Sequence, residues 1–203
     1  MMEVSRELRW FPGAVTAVAI AAASTLIASP VLAAEAPTAT QLPDDMVVQI
    51  LEPTGGKILR PVDWHYTERH ADGQFQWILS KEDPGRGGYE TGMSIQLFAN
   101  VSQVTGMTPR QFLEGVAEER ASAASKVVAR CPEVDQGLFS VFCVEVIEGD
   151  DPEFRVTYSL FISDESDLAA VTVFGAPATQ WSDVQDVRQA MLTFELIDMS
   201  RFE

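Results

Sequence analysis

The chain has 203 residues, with 14 Lys and Arg against 30 Asp and Glu, and a formal net charge of −16 at pH 7. Such a surface repels phosphate backbones and anionic lipid faces, which argues against nucleic-acid binding and electrostatic membrane attachment. It tolerates a basic or cationic partner, and it also keeps an exported protein soluble. The 2 His and 2 Cys narrow the chemistry further. Any histidine-based site uses His65 or His70, and no H-x-x-x-H, H-E-x-x-H or Cys/His cluster occurs.

Met1–Trp10 carries Arg6 and Arg9, Phe11–Ala28 is apolar and uncharged, Ser29-Pro30 breaks the run, and Val31-Leu32-Ala33 follows. This is the layout of a secretory signal peptide over 1–33, cut after Ala33. Glu3 and Glu7 offset the two arginines, so the remainder keeps the full negative charge. No Cys near the cut offers a lipid attachment point, and no later stretch approaches the ~18 apolar residues of a membrane helix. The expected location is periplasmic or secreted. Residues 34–45, Pro- and Thr-rich, form a flexible leader, and 46–203 form one domain.

Met46–Leu51 (MVVQIL) is a first strand or a short lead-in, and Pro53-Thr54-Gly55-Gly56 marks a turn. Trp64–Lys81 folds back as a hairpin about Asp72-Gly73, a dipeptide suited to the positive φ of a two-residue turn. Pairing across it sets His70 opposite Phe75, Glu68 opposite Trp77, Tyr66 opposite Leu79 and His65 opposite Ser80. Alternation then puts Trp64, Tyr66, Phe75, Trp77 and Leu79 on a core face. His65, Thr67, Arg69, Gln76 and Ser80 take the other, with Ile78 among them, so the two imidazoles point to opposite sides and cannot share a metal.

Glu82–Gly92 (EDPGRGGYETG) is a long glycine loop, and Met93–Val101 alternates as a strand. Thr108-Pro109 opens a helix, with Thr as N-cap and Pro at the first helical position. Phe112, Leu113, Val116, Ala117, Ala121 and Ala124 form its apolar stripe. Lys126–Arg130 is a short strand entering a hairpin that turns at Gly137. Leu138–Glu148, apolar on both faces, reads as a central strand. Phe154–Ile162 and Leu168–Gly175 are further strands, and Pro177–Phe194 is a second helix striped by Trp181, Val184, Val187 and Met191. The fold class is α+β: a largely antiparallel sheet of about six strands covered by two amphipathic helices, a layered α/β/α sandwich.

Four stretches resemble the PsbP/Mog1-like superfamily, which includes the bacterial DcrB-like exported proteins. They are the lead-in RPVDWHY, the hairpin ending WILSKE, the segment TGMSIQLFANV followed by the helix TPRQFLEGV, and the closing order of hairpin strands and a last helix. The resemblance spans Ile50–Asp198 and rests on loose apolar and aromatic patterns. It implies a binding or accessory protein, such as an assembly factor or a regulator of a GTPase. The superfamily shares no catalytic motif, so no functional residue is carried over.

The residues themselves leave several constellations to weigh. Cys131 and Cys143 are equidistant from Gly137, so a turn there sets them opposite each other as a structural disulfide. Asp63, His65 and Ser80 share the polar side of the hairpin and resemble a serine–histidine–aspartate set. Ile78–Lys81 is plain strand, however, without the strained turn and oxyanion hole such a serine uses. The acidic turns EGDDPE (Glu148–Glu153) and DESD (Asp164–Asp167) offer oxygens to a cation but match no calcium loop. The glycine loop puts Arg86 and Tyr89, a basic and an aromatic group, on a flexible connector of an acidic protein, a candidate contact for a partner or ligand. It lacks the Gly-Lys-Ser/Thr ending of a phosphate loop, and no dinucleotide motif is present. Asn100-Val101-Ser102 fits a glycosylation acceptor if the source is eukaryotic.

These readings converge on an exported, non-enzymatic binding or accessory protein of the bacterial cell envelope. It needs no cofactor and has a protein partner or small ligand of basic or cationic character. The alternatives are a small exported hydrolase using His65 with Ser80 or a carboxylate, and a cation-binding protein.

Overall fold

A computed structural model describes residues 44–71 and 73–201. The signal peptide over 1–33, nearly all of the 34–45 leader, and Asp72 lie outside the described residues. Among the described residues, ten strands form two sheets. The larger has seven strands in the order β3-β4-β5-β9-β8-β7-β6, all neighbours antiparallel. Its strands are β3 (His65–Ala71), β4 (Gln74–Ser80), β5 (Gly92–Ala99), β6 (Lys126–Gln136), β7 (Phe139–Glu148), β8 (Phe154–Ser163) and β9 (Leu168–Pro177). The smaller sheet, in the order β1-β2-β10, joins β1 (Met46–Leu51), β2 (Gly55–Pro61) and β10 (Glu195–Ile197).

Each face of the large sheet has its own core, as period-two alternation requires of a sheet covered on both sides. On one face Trp77, Leu79, Met93, Ile95 and Phe174 meet Leu51 and Ile58 of the small sheet, together with Trp181, Val184 and Met191. On the other, Val144, Val146, Leu160, Ile162 and Val171 meet Leu113 and Ala117 of helix α2 (Pro109–Ala123). The neck of α2 follows its sequence. Thr108 Oγ1 accepts from the Gln111 amide, the Gln111 side chain returns a bond to the Thr108 amide, and Pro109 opens the first turn. These bonds satisfy donors that a helix start otherwise leaves free.

The architecture is the α+β sandwich expected, with differences of detail. Ten strands replace about six, chiefly because β2 and β10 build a second sheet. β2 begins Gly55-Gly56 and ends at Pro61, which reads locally as turn. The glycines serve close packing instead: a Cβ on Gly56 would collide with the backbone of Glu195 and Leu196 on β10. The Thr54 hydroxyl lies within bonding distance of both the Leu51 and Leu196 carbonyl oxygens and ties the same corner. Strand β5 ends two residues early, at Ala99, because Asn100 takes φ 57° and starts the short helix α1 (Val101–Thr105); Asn tolerates this left-handed conformation.

Two further expectations are corrected. Pro177–Phe194 is not one helix. Strand β9 runs on through Pro177, a 3-10 segment covers Ala178–Val184, and only Gln185–Met191 forms the α-helix α3. Three residues per turn bring Trp181 and Val184 down on one side, both buried against the sheet. Nor is Leu138–Glu148 central. It lies second from the edge as β7, flanked by β6, which is 11 residues long, where a short Lys126–Arg130 strand was expected, and exposed at every position.

Candidate functional site

The hairpin register is the one alternation implies: His65 pairs Ser80, Tyr66 pairs Leu79, Glu68 pairs Trp77 and His70 pairs Phe75. Gly73 supplies the positive φ at the turn, 72°. The two histidines therefore leave the ribbon on opposite faces. His70 is occupied structurally. Its Nδ1 lies 3.4 Å from the Gln76 amide nitrogen, its Nε2 lies 3.3 Å from Glu68 Oε2, and its ring meets Phe75 and Trp77 edge-on. Glu68 in turn accepts a 2.6 Å bond from the Tyr66 hydroxyl. Burial first, then the neighbouring Glu68 carboxylate, holds that phenol well above its ordinary range.

His65 is exposed, as is Asp63. Ser80, by contrast, is completely buried, and its hydroxyl donates to the Glu82 carbonyl at 2.8 Å. A nucleophilic serine needs its proton in line with a base; here that proton closes the strand onto the glycine loop.

The loop candidates separate. Glu82 Oε2 accepts from the amides of Glu90 (3.1 Å) and Thr91 (3.0 Å), which closes the loop at its base. Arg86 points outward, 88% exposed, paired to Asp83 at 3.2 Å. With His65, Glu82, Gly87 and Gly88 it borders a polar cleft of about 450 Å³. The fold thus brings His65 and Arg86, read as separate candidates, to one rim. Tyr89 faces elsewhere, beside Glu148, Phe154 and Tyr158, where burial raises its phenol. Arg86 and Tyr89 do not form one contact point.

The DESD turn has a structural use. Asp164 Oδ1 accepts from the Arg110 amide at the start of α2, and Asp167 accepts from the amide (2.9 Å) and hydroxyl (2.7 Å) of Ser102 in α1. Carboxylates suit these helix starts, where unpaired N–H groups and the helix dipole favour negative charge. The cysteines face each other across β6 and β7, Cα atoms 4.8 Å apart, within disulfide distance.

A cavity that no local pattern announced lies between the two sheets. It holds about 350 Å³ and is walled by Pro53, Phe75, Leu97, Leu168, Ile197 and Met199. The other lining residues, Thr54, Ala99, Leu138 and Ser166, add two hydroxyls and no ionisable group. Volume and lining are those of a small-molecule or anchor-residue site. With no acid or base on its walls to activate either hydroxyl, the cleft is suited to holding an apolar group. The residues come from positions 53 to 199, so only the docking of the small sheet on the large one assembles them.

No family model matches the chain, and no curated protein matches it. Three solved structures are similar in fold. PsbP (CyanoP) from the cyanobacterium Synechocystis aligns with a TM-score of 0.47 and 8% identity, over 80% of this chain and 98% of that one. A point mutant of the protein Mog1 aligns with a TM-score of 0.44 and 16% identity, over 78% and 99%. The Saccharomyces cerevisiae Ran-binding protein Mog1p aligns with a TM-score of 0.43 and 16% identity, over 76% and 97%. At such identities the likeness is one of fold, and ligand and partner are left to this chain's own residues.

Proposed function

We propose that this chain is an exported, non-enzymatic binding or accessory protein of the bacterial cell envelope, and that it works through the apolar cleft between its two sheets. One observation carries the reading. The inter-sheet cleft has the volume of a binding site and no ionisable group on its walls, while the candidate hydrolytic residues are spoken for or apart: Ser80 bonds Glu82, and His70 faces away from His65. Export is supported by the leader pattern of residues 1–33 and by a cysteine pair set for oxidation, a feature of extracytoplasmic proteins. The occupant is an apolar anchor presented by a basic segment of a partner protein. The cleft takes the anchor, and a surface of net charge −16 draws and orients the basic flanks.

The test uses an uncharged solvatochromic dye, Nile red, with the full chain and its Ala99→Trp variant, in which the indole fills the cleft. Saturable dye binding lost in Ala99→Trp is the expected result. Dye binding that survives the substitution would remove the cleft from the reading. Ester hydrolysis by the purified protein that disappears in His65→Ala would replace it with the hydrolase.

A further inference from the structure

We propose that a second cavity, beneath α3 at the outer strands β6–β8, binds a small organic monocarboxylate with an apolar body. The cavity is distinct from the inter-sheet cleft and holds about 260 Å³. Its floor is one face of the β7–β8 ladder, where Val141 pairs Phe161, Cys143 pairs Ser159 and Glu145 pairs Thr157. Its roof is Arg188 and Leu192 with the following Phe194, and Cys131 closes the outer side.

Arg188 is the feature that apolar packing does not account for. Its side chain is only 18% exposed. Nη2 donates to Thr157 Oγ1 at 3.3 Å, and the same nitrogen lies 3.8 Å from Glu145 Oε2, beyond a hydrogen bond. Its Nε–H is buried with no acceptor among the described residues. A buried guanidinium donor without a partner is costly and uncommon. Desolvation accordingly lowers the basicity of Arg188, with only partial relief from Glu145.

Nor does Glu145 balance the site. Its carboxylate is held at closer range by Arg155. Both guanidiniums lie over the Trp181 ring, at 4.9 Å for Arg155 and 5.5 Å for Arg188. Two cations and one carboxylate leave a single positive charge half-buried in a protein whose total is −16. A ligand carrying one negative charge neutralises that surplus, while a dianionic phosphate would leave an uncompensated charge at a partly buried site. A carboxylate also matches the guanidinium fork geometrically. Phe161, Phe194, Leu192 and Val141 then surround the rest of the ligand with apolar surface. The volume lies just below the range of drug-sized sites, about 300–1,000 Å³, so the body is short: a medium-chain acid or a single aromatic ring.

The experiment titrates the full chain with octanoate, octanol and octylamine by calorimetry, with tryptophan fluorescence as a second readout because Trp181 stacks on Arg188. Octanoate is expected to bind saturably at one site, with octanol and octylamine weaker by about thirty-fold or more, the loss that follows removal of one partner of a buried charge pair. Arg188→Gln should lose octanoate by a similar factor, Arg188→Lys should recover part of it, and Leu192→Trp should block it by filling the cavity. Glu145 keeps Arg155 in every variant, so no buried carboxylate is stranded. Equal binding of octanol and octanoate, or octanoate binding unchanged in both Arg188→Gln and Leu192→Trp, would overturn the proposal. Octanoate binding lost only in Ala99→Trp would overturn it too, while leaving the inter-sheet cleft as a site. Nile red binding unaffected by Leu192→Trp would show that the two cavities are read independently.

Discussion

Reducing the Cys131–Cys143 pair should weaken the fold by an amount that can be worked out beforehand. The separation is 12 residues. In the chain-entropy model, freeing a loop of that size in the unfolded state costs about 3 kcal/mol of stability. For a domain of this size that corresponds to a fall in Tm of roughly 6–12 °C. The effect should be concentrated at the edge. β6 is exposed throughout and its ladder with β7 breaks register twice, between Val127 and Ala129 and between Cys131 and Val134. The bidentate Arg110–Glu133 pair, at 2.8 and 3.0 Å, and the Arg130–Glu118 pair, at 3.4 Å, fasten this strand to α2; both pairs are well exposed, so each adds at most about 1 kcal/mol. Urea unfolding of oxidised and reduced wild-type protein is the cleaner assay, because both forms contain the same side chains. Hydrogen exchange then locates the loss, with β6 amides opening first on reduction. Equal urea midpoints in the two forms, or two free thiols in protein taken from its native compartment, would refute the reasoning.

Leu113→Ala should cost about 2–5 kcal/mol, since Leu113 is fully buried between α2 and the sheet, whereas Glu119→Ala on the exposed side of the same helix should stay within about 0.5 kcal/mol; denaturant midpoints of the pair check both. Thr108→Ala removes one half of the capping box and should cost about 1 kcal/mol. The pH dependence is sharpest on the alkaline side. All 3 tyrosines, Tyr66, Tyr89 and Tyr158, have phenols raised by burial, Tyr66 and Tyr158 further by hydrogen bonds to Glu68 and Glu148. A group whose folded pKa exceeds its unfolded value contributes stability that is intact below the unfolded pKa and lost as pH climbs beyond it. Stability should therefore fall above about pH 10, and absorbance at 295 nm should show no phenolate forming near pH 10 before the circular dichroism signal is lost. A tyrosine titrating at pH 10 in folded protein would contradict the burial assigned to these rings.

The parts legible beforehand share a short range. The turn at Gly73 sets the β3–β4 register, and side-chain alternation then sends His65 and His70 apart. The turn at Gly137 places the second hairpin, but it pairs Gln136 with Phe139, and the register shift between Cys131 and Val134 is what brings Cys131 opposite Cys143. The helix start at Thr108-Pro109 is equally local, a cap and its reciprocal glutamine three residues on. Where the pattern misled, a local signal met a long-range demand. Gly55-Gly56 reads as turn and is strand, because β10 crosses close to Gly56. Trp181 and Val184 suggest an α-helical stripe and sit on a 3-10 segment that follows β9 without a break and buries both side chains against the core.

The amino-acid sequence by itself determined the charge, the hairpins, the faces of the strands and the capped helix, because each depends on residues within a turn or two of one another. Only the tertiary structure decided where anything binds. The inter-sheet cleft needs β1–β2, β5, β9 and β10 to come together, and the Arg188 cavity needs α3 to lie over β7 and β8. Neither leaves a periodic trace along the chain, since a cavity is a relation between surfaces and its lining residues answer to separate local rules.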